Sequence, residues 1–254
     1  MTGAPADRPP GRLAGRLALI TGASRGLGAA AALAYAREGA HCVLVARTVG
    51  GLEEVDDRIK ALGGSATLVP LDVTDGPGID RLGAALYERY GRLDVLLGNA
   101  GILGTLSPVG HIEPKVFEQV MAVNVTANWH LIRTMHALLL RSDAGRAVFL
   151  TSGGAGRPRA YRGLYAASKG ALEVMARTYA AETASTPIRV NLFNPGPTRT
   201  RMRAAVMPGE DPMTLPTPEA VAEHIVPLCL PSFQETGRLY DFRFKKLMTF
   251  RAPE

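Results

Sequence analysis

The stretch Leu17–Gly28 limits what this chain can fold into more than any other. An apolar run, Leu17-Ala18-Leu19-Ile20, leads directly into Thr21-Gly22-Ala23-Ser24-Arg25-Gly26-Leu27-Gly28 and then into an alanine-rich segment. The run reads as a buried strand and the alanines as a helix. Glycine lacks a Cβ, so backbone N–H groups at Gly22, Gly26 and Gly28 can approach an anion closely, with Ser24, Arg25 and Leu27 between them. The N-terminus of the following helix adds aligned dipoles and donors without intrahelical partners. Strand, glycine turn and helix in that order make a phosphate cradle. The spacing G-x-x-x-G-x-G departs from the G-x-G-x-x-G fingerprint, and glycine also gathers in plain turns, so the flanking strand and helix give the motif its weight.

Composition narrows the setting. With 254 residues, 46% hydrophobic and 20% charged, the chain can bury a large core as one α/β domain. No apolar window is long enough to span a bilayer. Residues 1–15 are rich in Pro, Gly and Arg and have no apolar signal-peptide core, so a flexible leader and a cytoplasmic location are expected. Cys42 and Cys229 are too few for a disulfide framework and read as buried, reduced thiols. The net charge of +6 comes without a compact basic run interleaved with aromatics, which favours a phosphate-bearing small molecule over nucleic acid. Trp129, His130 and His136 read as packing or surface residues, because no second cluster of metal ligands accompanies them, and no metal is expected.

The second strand, His41 to Arg47, ends about 20 residues after the cradle, where a dinucleotide fold reads the adenosine ribose. NAD sites usually place an acid there. Here Ala46 is neutral and Arg47 cationic, and with Arg25 it could hold a ribose 2′-phosphate, which favours NADP; the plain alternative is a pair of solvated surface arginines. A helix follows over Leu52 to Leu62, then a strand from Ala66 to Leu71 closing on Asp72-Val73. Asp72 could reach the adenine edge or cap the next helix, Ile79 to Tyr90. The strand Leu93 to Leu97 runs into Gly98-Asn99-Ala100-Gly101, where small residues would let the chain pass a flat cofactor, although an ordinary Asn/Gly turn accounts for them too.

Farther on, Tyr165-Ala166-Ala167-Ser168-Lys169 places a phenol and an ammonium at i and i+4, on one helix face. An adjacent cation favours the phenolate, so the tyrosine is expected to titrate below its usual ~10 and to serve as a general acid or base. The pattern Tyr-x-x-x-Lys also arises by chance on helix surfaces.

Thr21 to Gly28, Asn99-Ala100-Gly101 and Tyr165 to Lys169, in that order, match T-G-x-x-x-G-x-G, N-A-G and Y-x-x-S-K, and over about residues 15 to 200 the chain resembles the single-domain short-chain dehydrogenases/reductases. The resemblance implies a doubly wound, mainly parallel sheet of about seven strands with helices on both faces. It implies that Tyr165 is the catalytic acid/base, that Lys169 binds the nicotinamide ribose and depresses the tyrosine pKa, and that Ser152 holds the reacting oxygen. Asn124 lies inside the helical stretch Pro114 to Leu140; the matching asparagine of the family kinks this helix and holds a water in the proton relay, while a hydrogen-bonded core amide is the bland account. Pro195-Gly196, after the strand Ile188 to Phe193, matches the turn that contacts the nicotinamide. Thr198 and Thr200 are candidate donors to the cofactor or helix caps. Pairing of helices across a two-fold axis implies a homodimer or homotetramer.

The likeness fades toward the end. Residues 198–216 have the methionines and prolines of a lid over a pocket. A last strand is expected over Gly237 to Phe242, closing a domain of residues 16–243, with 244–254 a basic tail. Arg157, Arg159 and Arg162 before Tyr165, with Arg199, Arg201 and Arg203 in the lid, could steer an anionic substrate, or could be solvated, touch the pyrophosphate or pair with Glu210 and Asp211. The expected activity is NADP(H)-linked hydride transfer to or from a carbonyl or secondary alcohol. An NAD-linked alcohol dehydrogenase and a non-catalytic NADPH-binding sensor or scaffold are the alternatives.

Overall fold

Strands that are apolar on both faces need helices on both sides, and this chain supplies them. The computed structural model describes residues 11–157 and 159–250. Strands β1 (Leu17–Thr21), β2 (His41–Ala46), β3 (Ser65–Pro70), β4 (Val95–Gly98), β5 (Arg146–Leu150), β6 (Arg189–Asn194), β7 (Leu239–Asp241) and β8 (Lys246–Met248) form one sheet in the order β3-β2-β1-β4-β5-β6-β7-β8. Every neighbouring pair is parallel except β7 with β8. The helices are α1 (Gly26–Arg37), α2 (Val49–Ala61), α3 (Gly76–Tyr90), α4 (Pro114–Met121), α5 (Ala127–Leu140), α6 (Gly153–Gly156), α7 (Gly163–Glu182), α8 (Arg201–Val206) and α9 (Pro218–Ala222). This is the α/β Rossmann-like architecture expected of the sequence.

Alternation along β1 divides the core. Ala18 and Ile20 join the alanines of α1 with Val221 and Ile225, while Leu17 and Leu19 join Ile79, Leu131, Met135 and Leu172 on the other face. Because β1 lies between β2 and β4, strand order reverses there, and a crevice opens at the C-terminal ends of β1 and β4. Cys42 and Cys229 are buried and free, and burial pushes both thiols up to about 12. No helix of the described residues is long and apolar enough to cross a membrane.

Two expectations need correction. The leader does not extend to residue 15: Leu13 is fully buried and its N–H bonds the Glu38 carbonyl at 2.8 Å, so the packed chain includes Gly11 to Gly15, and residues 1–10 lie outside the described part. One buried leucine among Pro, Gly and Arg has no periodicity to betray it. The tail is not wholly tail, since Lys246–Met248 pairs antiparallel with β7, making eight strands. Its side chains are exposed, so no apolar alternation marked it, and a lysine on a short edge strand discourages further pairing. Residues 251–254 of that tail lie outside the described part. The helical stretch Pro114 to Leu140 is present and passes through a π-helical turn, Ala122–Thr126, around Asn124, where the resemblance implied a kink.

Candidate active site

The glycine turn is held open by side chains from the neighbouring strand. Gly22 and Gly26 have φ of 64° and 57°, values that L side chains rarely adopt. A Cβ at Gly28 would lie 2.3 Å from the Gly22 carbonyl oxygen and 2.5 Å from Asn99 Nδ2, so only glycine fits. Asn99 Nδ2 donates to the carbonyls of Thr21 at 2.8 Å and Gly22 at 3.3 Å. The buried Thr21 hydroxyl accepts from the N–H groups of Asn99 at 3.0 Å and Ala100 at 3.1 Å and donates to the Leu97 carbonyl at 3.3 Å. Thus Asn99 does fix a turn, and it fixes the cradle as well. Thr21 opens the T-G-x-x-x-G-x-G motif, but its hydroxyl was given no task from sequence.

Helix α1 begins after Arg25 with no side-chain cap and no acid in its first turn, which leaves its N-terminal donors to an anion. Ser24 and Leu27 are half-buried and Arg25 is exposed. A Cβ at Gly26 would come within 3.7 Å of Thr200 Cγ2, so the start of the segment 198–216 reaches the cradle. An uncapped helix end and a turn closed to any Cβ suit a pyrophosphate, so these residues fit a dinucleotide.

At the ribose corner the charges are mixed. Arg47 is exposed and lies 3.7 Å from Asp72 Oδ2. Burial alone would raise the Asp72 carboxyl, but bonds from the Thr74 N–H and hydroxyl, together with Arg47, hold it below its ordinary range. Asp72 is not the cap of α3. That role belongs to Asp75, which accepts from the Gly78 N–H at 2.9 Å, while Asp72 closes its own turn after β3 beside the buried Val73.

Across the crevice, β5 and α7 bring the predicted triad together. Ser152, two residues beyond β5, caps the short α6 by accepting from the Gly154 N–H at 3.2 Å, and its hydroxyl lies by the Tyr165 phenol, whose pKa it lowers. Lys169 is buried and donates to the Leu150 carbonyl at 2.7 Å. Its ammonium is 5.9 Å from the centroid of the Tyr165 ring. The expected depression of the phenol does not occur: burial pushes Tyr165 up to about 12, against the opposing bond from Ser152. Burial likewise brings Lys169 down to about 8, with Glu173 opposing. Helical spacing predicts that the two groups share a face; it does not predict that the site dehydrates both.

Asn124 Oδ1 accepts from the Ile102 N–H at 2.8 Å, and Nδ2 donates to the Ile102 carbonyl and to Ser168 Oγ, both at 2.9 Å. Both amide hydrogens are therefore taken. A Cβ at Gly101 would lie 3.3 Å from Asn124 Oδ1 and 3.4 Å from Lys169 Nζ, so the small loop of Asn99-Ala100-Gly101 passes directly by the ammonium.

Asn194, unremarked in the sequence reading, joins two parts of the site. Its Oδ1 accepts from the N–H groups of Gly153 and Gly196, both at 3.1 Å, and its Nδ2 donates to Asp241 Oδ2 at 2.8 Å. The serine loop and the Pro195-Gly196 turn, where Gly196 has φ 63°, are thereby fastened to β7. Thr198 turns inward, donating weakly to the Pro195 and Gly196 carbonyls at 3.3 and 3.4 Å. Thr200 caps α8 by accepting from the Arg203 N–H at 3.2 Å. Of the arginines, Arg203 forms a bidentate pair with Glu210, Arg199 bonds carbonyls of the lid, and Arg162 reaches Met207 Sδ at 3.5 Å. Arg157, Arg159 and Arg201 stay exposed. Among the described residues no group of three His, Cys, Asp or Glu could hold a metal ion.

The short chain dehydrogenase family model matches residues 16–211. The uncharacterized oxidoreductase YciK of Escherichia coli is 40% identical over 234 residues, covering 89% of this chain and 91% of that one. A Shigella flexneri protein solved complexed with NADP superposes with a TM-score of 0.85 at 38% identity, covering 92% of this chain and 99% of that one. An Escherichia coli protein complexed with NADPH gives a TM-score of 0.86 at 38% identity and the same coverage, 92% and 99%. The match spans the cradle, the Asn99 turn and the Ser152, Tyr165 and Lys169 site, and the chain belongs to the short-chain dehydrogenase/reductase family of oxidoreductases.

Proposed function

We propose that this oxidoreductase transfers hydride between NADP(H) and a carbonyl or secondary alcohol, with Tyr165 as general acid and base. The observation that carries the proposal is the meeting of Ser152, Tyr165 and Lys169 beside the glycine cradle at the C-terminal end of the sheet. Bound NADPH supplies a hydride to the carbonyl carbon. Ser152 donates a hydrogen bond to the oxygen as negative charge develops there. Tyr165, protonated far beyond neutral pH, delivers the proton to that oxygen. Lys169 binds the nicotinamide ribose and recharges the phenol. Asn124, whose amide is committed to Ile102 and Ser168, acts by positioning this wall of the pocket.

Arg25 and Arg47 support NADP, as do the related proteins solved with NADP and NADPH. Asp72, 3.7 Å from Arg47, is the feature that favours the NAD-linked alternative. The exposed Trp129 on α5 and Val174 on α7 support self-association, which light scattering would measure as a dimer or tetramer mass.

The test is a screen of neutral and anionic carbonyls and alcohols with both cofactors, followed by nicotinamide absorbance. Tyr165→Phe keeps the ring and should leave NADPH binding intact while turnover falls by roughly 10²–10⁴. Full activity in the phenylalanine variant refutes the role of Tyr165; NADPH binding with no turnover on any substrate supports the sensor reading instead.

A further inference from the structure

The end of β5 and the active helix are joined three times in succession. The carbonyl of Leu150 accepts from Lys169 Nζ at 2.7 Å, the hydroxyl of Thr151 donates to Glu173 Oε1 at 2.7 Å, and the Ser152 hydroxyl lies by the Tyr165 phenol. Three consecutive residues, the last of the strand and the two that follow it, thus meet residues 165, 169 and 173, which succeed one another at i+4 along one face of α7. Ser152, Tyr165 and Lys169 have roles in the reading above. Thr151 and Glu173 have none, yet Thr151 is buried and its hydroxyl holds a half-buried carboxylate one turn beyond the lysine.

We propose that Glu173, fastened by Thr151, is a positioning residue that keeps Lys169 charged and docked on the Leu150 carbonyl. This builds on the role given to Lys169 in hydride transfer. A buried ammonium bonded to one neutral carbonyl is poorly compensated, and the nearby carboxylate supplies the missing opposite charge without competing for that bond. The surroundings leave the task to Glu173. It is the charged group that acts on Lys169, whereas Arg177 and Lys169 are the charged groups that act on Glu173. The end of β5 and the two residues after it present the Leu150 carbonyl and two hydroxyls; the π-helical turn presents the Asn124 amide; Tyr165, the titratable neighbour on the same helix face, is neutral. Burial raises the Glu173 carboxyl, while the Thr151 bond, Arg177 and Lys169 pull it back toward the ionised form.

Lys169 can be watched without any turnover, because the chain has only four other lysines, Lys60, Lys115, Lys245 and Lys246. Carbon-13 labelling at lysine Cε and NMR titration of the full, cofactor-free protein, with Lys169→Arg to assign the signal, gives its midpoint directly. Glu173→Gln should lower that midpoint by at least about half a pH unit, given that a nearby opposite charge commonly shifts a titration by about 1–3 units. Thr151→Val should lower it less, and Thr151→Ser, which keeps the donor, should leave it in place. Glu182→Gln, at the exposed end of α7, should have no effect. On a confirmed substrate, the alkaline fall in kcat should move to lower pH in Glu173→Gln by the same amount. An unmoved Lys169 midpoint in folded Glu173→Gln overturns the proposal. A shifted midpoint in a protein that turns over nothing leaves the proposal standing and overturns the catalytic reading.

Discussion

Thr21→Val is the substitution that most directly tests how the cradle is built. Valine keeps the shape of threonine, so little cavity forms and the change isolates the hydroxyl. That hydroxyl makes three bonds, but they are not equivalent. The Asn99 N–H has a second acceptor, the Leu97 carbonyl at 3.0 Å, and loses only part of its satisfaction. The Ala100 N–H has no such alternative and sits half-buried behind the turn. One orphaned N–H costs about 1–3 kcal/mol and a shared bond about half to one more, with water reaching Ala100 in part, so a loss near 2 kcal/mol is expected. Urea denaturation of the cofactor-free protein, with m unchanged, should show it. Thr21→Ser keeps the hydroxyl and should retain most of the stability. Because Asn99 and Ala100 border the cradle, Thr21→Val should also weaken NADPH binding. A valine variant within ~0.5 kcal/mol of the parent would show that the hydroxyl does not hold the two loops together.

Other substitutions probe charge. Arg47→Asp puts a second acid beside Asp72 and should weaken NADPH far more than NADH; equal affinity of the unmutated protein for both in a fluorescence titration would remove the basis for the clamp. Lys169→Met should abolish turnover yet stabilise the cofactor-free protein at neutral pH. The lysine titrates lower folded, about 8, than unfolded, so the folded state disfavours its proton; the variant's advantage should fade as pH rises from about 8 through 10.5, above which the parent lysine is neutral in both states. Urea midpoints at pH 7 and pH 10 would measure this, and an equal advantage at both would contradict it. Exchanging Arg159 and Arg201 together for Gln should flatten the salt dependence of kcat/KM for an anionic substrate toward that of a neutral analogue. If charged and neutral substrates respond alike to salt in the parent, those arginines are surface residues only.

Much of this was legible in order along the chain. Strand, glycine turn and helix at Leu17–Gly28, the Asn99 turn and the helical phase of Tyr165 and Lys169 are local facts, because φ preference and side-chain periodicity act over a few residues. Seven of the eight strands follow from the same kind of pattern, as apolar runs in the sequence. Ser152, Asn124 and Gly196 were reached through the family resemblance, with a polar residue inside an apolar helix pattern as the added local sign for Asn124.

Other features needed the packed molecule. Asn194 and Thr21 bind loops that are distant in sequence, and nothing local in the sequence shows which partners their side chains take. The strand Lys246–Met248 depends on a free edge at β7, not on its own composition. The electrostatics reversed an expectation: the sequence placed a cation one turn from a phenol, which implied a lowered phenol, whereas burial raises Tyr165 and lowers Lys169. The sequence by itself determined which groups stand on the same helix face and which turns require glycine, for these depend on covalent geometry. Only the tertiary structure decided how those groups titrate and which partners they keep, because desolvation and long-range hydrogen bonds exist only once sheet, helices and loops have closed around the same small space.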